Sequence, residues 1–272
     1  MVYVGLFSLV FAGILFFVKR SEEEKLGYIK AIETSNCRDL IEEAKAIADR
    51  MGKPGHFRRL VELKGVIKCD NPLISEVAKQ KCVYYSMSVT RQYEETYEET
   101  DAQGKVVRKT RKKTDTVASN TQSLPFYVED STGKVLINPN GAELDPVRII
   151  DKFEPGEMTS GRTITFGDVS FSTTGLPFIT THQPPAGHRT LGYNFTESIL
   201  PLDRKVYVLG EASDADDELV IKIPRDKGRF IISLKSEEEL MAASASGIKL
   251  VTMGMIVSGL LGLGLVVLSI IR

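Results

Sequence analysis

Tryptophan is absent from the 272 residues, and cysteine and histidine occur only three times each. Cys37, Cys69 and Cys82 cannot all pair and none stands in C-x-x-C spacing, so a disulfide-stapled framework is excluded; a single Cys69–Cys82 bridge stays compatible with the count. A zinc centre takes about four ligands paired by spacing. Here His182 and His188 lie in a Pro/Thr-rich stretch with no cysteine nearby, and they read as surface-loop residues. No metal site and no cofactor is expected. Also missing are G-x-S-x-G, a phosphate-binding P-loop, a dinucleotide fingerprint and any distinctive carboxylate pair, so no catalytic residue is assigned. The acidic Ser213–Leu219 stretch lacks the calcium-loop order and reads as a solvated turn, and the Asn194 sequon has no meaning outside a secretory pathway. Charge of one sign is absent too: the formal net charge is −1, which argues against a nucleic-acid partner.

What the chain does hold is apolar sequence at both ends. From Leu250 to Ile271 there is no charge, and the only polar residues are Thr252, Ser258 and Ser269. At 1.5 Å per residue this run spans about 30 Å, the thickness of a bilayer core. The run "MVYVGLFSLVFAGILFFV" is shorter, and its basic residues Lys19 and Arg20 follow it rather than precede it. That order, with no small-residue cleavage site, predicts a retained anchor rather than a cleaved signal. Two spans place both termini on one side, and only Arg272 follows the second run. Lys19, Arg20, Lys25 and Lys30 beside the first run place the central region in the cytoplasm by the positive-inside rule.

Between the anchors, "SNCRDLIEEAKAIADRMGKPG" carries helix signals: Ser35 or Asn36 as cap, one apolar face from Leu40 to Met51, then Gly52 and Pro54 as a stop. That modest face predicts packing on the following domain. From Val61 onward, short β-prone runs such as "LVELKGVIK", "KCVYYSMSVTRQY", "KVYVLGEA" and "RFIISL" alternate with turns. The fold class predicted is a β-rich α+β domain, antiparallel and barrel- or sandwich-like, between two transmembrane helices. "VEDSTGKVLI" predicts a hairpin turning at Asp130–Gly133, and Ser236 with Glu239 a capping box. "GLPFITTHQPPAG" reads as a long loop. The boundaries are an anchor over 1–18, a juxtamembrane segment with an amphipathic helix over 19–59, the β domain over 60–235, a short connecting helix over 236–249 and a transmembrane helix over 250–271.

Two patterns invite partners. In 91–115, Glu94, Glu95, Glu98, Glu99 and Asp101 precede Lys105, Arg108, Lys109, Arg111, Lys112 and Lys113. Folded at Ala102–Gly104, the two sets face each other as a projecting charged hairpin; the other reading is a lipid- or partner-binding arm. In the second apolar run, Gly254, Ser258 and Gly262 recur every four residues, and Gly5, Ser8 and Ala12 form a comparable face in the first. Such stripes allow close helix approach, either between the two runs or in a homo-oligomer through the second.

One stretch, "GYNFTESILPLDRKVYVLGEA", carries Gly192, Glu197, Leu200, Gly210 and Glu211 in an order that resembles the membrane-anchored E3 ubiquitin ligases of the GIDE/mulan type. "LKGVIKCDNPLIS", "CVYYSMSV", "LPFYVEDSTGKVLINPNGA" and "IIDKFEPG" fit the same pattern, together covering most of 60–235. The resemblance implies a "beside-a-membrane" (BAM) domain. It also implies a RING finger with about eight Cys/His zinc ligands, which three cysteines and three histidines cannot supply. A RING-less form, without transferase chemistry of its own, is expected of a bacterium, cyanobacterial by resemblance. The function expected is an integral membrane protein whose BAM domain binds a protein or lipid partner at the membrane surface. Its alternatives are an accessory part of a RING-type ubiquitin transferase system and an envelope scaffold assembling through its helices. Glu197, Gly210 and Glu211 are expected to define the domain structurally more than to bind directly.

Overall fold

The computed structural model describes residues 2–100, 102, 104–156, 163–166, 169–172, 188–215, 218–226 and 228–271. In chain order the elements are α1 (Val2–Ala31), β1 (Thr34–Ser35), α2 (Cys37–Met51), β2 (Arg58–Lys68), β3 (Leu73–Ile74), β4 (Lys81–Thr100), β5 (Val106–Ser123), β6 (Phe126–Glu129), β7 (Lys134–Ile137), β8 (Glu143–Asp145), β9 (Val147–Pro155), β10 (Thr163–Phe166), β11 (Val169–Ser172), β12 (His188–Pro201), β13 (Lys205–Ser213), β14 (Val220–Lys222), β15 (Ile231–Ser233) and α3 (Glu237–Ile271). They form two compact units: Met1–Val66 with Val128–Asp145 and Lys205–Arg272, and Ile67–Tyr127 with Pro146–Arg204. The β-rich α+β class expected is the one found.

The first unit is built on a closed barrel. Strands run in the order β2–β6–β7–β14–β13, and β13 pairs back on β2 from Lys205↔Val66 to Ser213↔Arg58. Val61, Leu63, Val128, Val135, Ile137, Val206, Val208 and Ile221 are buried, so β-branched residues fill the core, as their fit to a pleated surface favours. Most pairings described are antiparallel, but β1–β2, β14–β7 and β15–β8 are parallel. Helix α2 is capped by Asn36, whose side chain accepts from the Asp39 N–H, and ends at Gly52 with φ 76°. Its face packs on the β6–β7 turn, where a Cβ at Gly133 would lie 3.5 Å from the Cys37 Cβ. Asp130 ties the two together. One carboxylate oxygen accepts from the N–H groups of Thr132 and Gly133, and the other from the Cys37 N–H at the start of α2.

The two long helices belong to this unit and run antiparallel. Gly5 near the start of α1 lies against Gly262 and Val266, Leu15 lies beside Gly254, and the Ser8 hydroxyl donates to the Ser258 carbonyl at 2.7 Å. Neither helix stops where its apolar run stops. α1 continues from Val18 to Ala31 through the i,i+4 pairs Lys19–Glu23 and Arg20–Glu24. α3 begins at the reciprocal Ser236–Glu239 capping box and runs unbroken through 249 and 250. The segments expected as 236–249 and 250–271 are therefore one helix: the chain changes its polarity there without meeting a breaker. Ile29, Tyr207, Leu209, Ile231 and Leu240 form a core that joins the ends of both helices to β13 and β15.

The second unit is a half-barrel. Its sheet has the order β3–β4–β12–β9, with β5 on the other side of β4 near the hairpin, and β10 and β11 form a separate two-stranded hairpin. Strand β12 was not evident in the sequence, where "YNFTESIL" alternates but sits among Gly192, Asn194 and Pro201. In place its side chains alternate buried and half-buried, and it pairs with β4 along its whole length and with β9 over most of it.

Candidate functional site

The family-like positions fall in both units. In the half-barrel, Glu197 on β12 is fully buried. One of its oxygens accepts from the Val77 N–H at 2.8 Å; the other accepts from the Ala78 N–H at 2.8 Å and the Ser75 hydroxyl at 3.0 Å. The carboxylate thus closes the turn between β3 and β4, and the three donors it meets all lie in that turn. Leu200 is buried three residues on. Gly192 sits at a bulge in the β4 pairing, where a Cβ would lie 2.5 Å from the Phe153 ring and 2.4 Å from the Glu154 carbonyl oxygen, so no side chain fits.

In the barrel unit, Gly210 on β13 faces Phe230 and Ile221, which a Cβ would meet at 2.8 and 2.9 Å. Its neighbour Glu211 takes a bidentate pair from Arg58, at 3.2 and 3.0 Å. Burial pushes this carboxyl up, but the Arg58 guanidinium and the Arg225 N–H outweigh it and hold it below the ordinary range. On α3, Gly254, Ser258 and Gly262 face α1 of the same chain. These positions therefore act as packing and bonding points, each within its own unit.

The charged hairpin is longer than 91–115. β4 and β5 pair from Tyr84↔Ser123 to Thr100↔Val106, so at 3.3 Å per residue β4 reaches about 66 Å. Among the described residues, β12 pairs with β4 as far as Glu95, and beyond it β4 pairs with β5 alone. A bare two-stranded ribbon is marginal in water. This tip is laced by Arg108–Glu98 at 3.2 Å, Lys109–Glu99 at 2.8 Å and Arg111–Glu95 at 2.6 Å, with the Arg111 guanidinium 4.9 Å above the Tyr97 ring. Lys113 and Arg111 hold the Glu95 carboxyl down to about 2.

At the base of this arm lies a cluster that sequence reading missed. Tyr93 stacks on the His188 ring at 4.8 Å and carries the Arg91 guanidinium 4.5 Å from its centroid. His188 stands at the start of β12, 3.5 Å from Glu95, rather than in a surface loop. Arg91 is 4% exposed and its one acidic neighbour among the described residues, Asp115, is 3.5 Å away. Among the described residues, the buried Arg91 Nε, His188 Nδ1 and Thr190 Oγ1 find no hydrogen-bond partner. The signal available was only the period-2 placement of Arg91, Tyr93 and Glu95, which a charged hairpin shares.

Other sequence expectations meet the structure directly. All three cysteines are free, with Cys37 and Cys82 buried, so no Cys69–Cys82 bridge forms. Ser213 and Asp214 are buried rather than part of a solvated turn, because the Asp214 carboxylate accepts from the Phe57 N–H at 2.9 Å. His182 and the "GLPFITTHQPPAG" stretch lie outside the described residues. Among the described residues, no group of three or more His, Cys, Asp or Glu is placed to hold a metal ion.

Both long helices have the length and composition to cross a membrane: an 18-residue stretch within Tyr3–Ala31 has mean hydropathy 1.7, and one within Glu237–Ser269 has 2.3. No curated protein and no solved structure matches the chain. A family model described as GIDE, E3 ubiquitin ligase, matches residues 94–268. That match starts in the arm, takes in β12 and β13 with Glu197, Gly210 and Glu211, and runs through most of α3. The chain belongs to the GIDE family of E3 ubiquitin ligases.

Proposed function

We propose that the protein is an integral membrane protein that holds a recognition domain beside the bilayer and binds a protein or lipid partner there. The observation that carries this reading is the antiparallel α1–α3 pair. Its outer surface exposes Phe7, Val10, Phe11, Ile14, Phe17, Leu250, Met253, Leu260 and Leu261, and its charged ends extend each helix beyond the apolar run to pack on β13 and β15. An apolar belt of that extent has no place in water. In a bilayer every backbone group of the pair is satisfied within its own helix. Both termini then lie on one side, and the β region lies on the other; the basic residues beside α1 favour a cytoplasmic β region.

The test has two parts. Alkaline carbonate should leave the full chain in the membrane pellet. A photoreactive residue at Ala102, at the arm tip, should then trap a discrete protein or lipid adduct in native membranes. Arg108→Glu with Lys112→Glu, which reverses charge on the arm while keeping the photoreactive residue at Ala102, should abolish that adduct. A chain that resists carbonate but gives the same adducts with and without these substitutions contradicts recognition through the arm.

A second reading follows from the family match, whose description is that of an E3 ubiquitin ligase. The recognition domain would then serve ubiquitin transfer together with a separate zinc module, since a RING draws on about eight ligands and this sequence has three cysteines and three histidines. Ubiquitin conjugation in a reconstituted system that requires both this chain and a RING protein supports that reading. Conjugation indifferent to this chain removes it.

A further inference from the structure

Where α1 and α3 leave their apolar zone they border, together with β8 and β15, a cavity of about 430 Å³. That volume falls within the range of roughly 300–1,000 Å³ typical of small-ligand sites. Charges of both signs line it: Glu22 and Lys25 on α1, Glu143 and Asp145 on β8, and Lys235 after β15. Lys25 pairs with Glu143 at 3.2 Å and Lys235 with Asp145 at 2.9 Å, while Arg229 bonds Glu143 from outside the lining. Among the described residues, Glu22 is the one lining charge with no ion pair.

The depth of the cavity identifies its ligand class. Glu22 follows Val18, the end of the first apolar run, by about 6 Å of helix rise, and Gly247 precedes Leu250 by about 5 Å. The headgroup layer on each face of a bilayer is roughly 5–8 Å thick. With the helix pair inserted, the cavity opens at headgroup level. Gly247 on its α3 side has open space where a side chain would project.

Resting on the membrane reading above, we propose that this cavity binds the headgroup of a zwitterionic phospholipid bearing a primary ammonium. The ammonium donates to the unpaired Glu22 carboxylate, and the phosphate lies toward Lys25 and Lys235. A quaternary ammonium offers no N–H to Glu22. The glycerol headgroup of phosphatidylglycerol presents the same phosphate to the two lysines but no ammonium to Glu22.

The full chain is reconstituted in vesicles of equimolar phosphatidylethanolamine, phosphatidylcholine and phosphatidylglycerol, and the lipid it retains is read by native mass spectrometry. Wild type retains phosphatidylethanolamine over phosphatidylcholine by about threefold, the scale of one partly exposed ion pair. Glu22→Gln erases that preference, whereas Glu24→Gln, whose carboxylate pairs with Arg20 at an exposed site, preserves it. Gly247→Leu, which fills the open space on the α3 side, reduces retention of any lipid. Equal retention by wild type, a phosphatidylglycerol preference, or a preference unchanged in Glu22→Gln overturns the proposal. Displacement of the lipid by soluble phosphoethanolamine overturns the membrane as the source of the ligand. Carbonate washing of the same vesicles separates the two claims. A chain that washes off refutes the membrane reading, and one that stays without a lipid preference refutes only the cavity.

Discussion

Two buried glutamates stand close in the family-like stretch, yet the chain uses them differently. Glu211 meets a cation, Arg58, and so forms a charge pair at the barrel wall. Glu197 meets only N–H and O–H donors, three of them in one turn. Removing its carboxylate leaves buried donors unpaired, so Glu197→Ala should destabilise the half-barrel by about 3 kcal/mol, read from the denaturant midpoint of the full chain in detergent. Asp130 offers a pH-dependent counterpart. Burial raises its carboxyl, but the Thr132 hydroxyl and the Cys37 and Thr132 N–H groups outweigh that and bring it to about 2. A carboxyl lowered in the folded state stabilises fully above its unfolded value of about 4 and loses that contribution as pH falls toward 2. Asp130→Ala should therefore cost about 1–2 kcal/mol at pH 7, and the gap to wild type should narrow at pH 3. The cysteines give a third check. Burial, then Asp130, pushes the Cys37 thiol up to about 12; burial, then Glu197, pushes Cys82 up to about 11. Thiolate is the reactive form, so maleimide at pH 7.5 should label Cys69 alone until the protein is unfolded. Labelling of all three in the folded protein contradicts the packing around α2 and β4. At this scale the sequence showed which residue types stood together, but not that Asp130 would serve both a turn and a helix start, because that contact joins residues far apart in the chain.

Local pattern made most elements readable. The α2 caps, the Asp130–Gly133 turn and the Ser236–Glu239 box are short-range chemistry, and the structure has each of them. β12 and β9 escaped notice because their exposed faces carry Arg, Asp, Lys, Glu and Asn, so their alternation resembled loop composition until cross-strand partners were known. The extent of both helices was also illegible, since a drop in hydropathy looks like an end when only the surroundings change. The packing of the helix pair supplies its own prediction. A side chain at Gly262 would meet Leu9 at 2.8 Å and the Gly5 carbonyl at 3.0 Å, whereas Gly259 has open space. Gly262→Leu should force α1 and α3 apart and lower the melting temperature in detergent by several degrees, about 1–3 kcal/mol of overpacking. Gly259→Leu should leave it unchanged. Equal effects at both positions would mean that the stripe packs elsewhere, for instance on a second copy of the chain.

For the molecule as a whole, the barrel unit and its helix pair are one construction. The core of Ile29, Tyr207, Leu209, Ile231 and Leu240 fastens both helix ends to strands β13 and β15 of that unit. Fold class and the two helices apolar enough to cross a membrane were legible because they rest on composition and period. The partner was not, since recognition depends on surfaces that a single sequence does not pattern. The central claim is a two-span anchor with the β region on one side and both termini on the other. Its most direct test uses sealed membranes and an impermeant maleimide, with one reporter cysteine at Ala102 and another in a tag on the terminus, in a background where Cys69 is serine. The account predicts opposite accessibility: one reporter reacts in intact membranes and the other only after lysis, whichever side faces out. If both react, or both stay protected until lysis, the two helices do not form a two-span anchor.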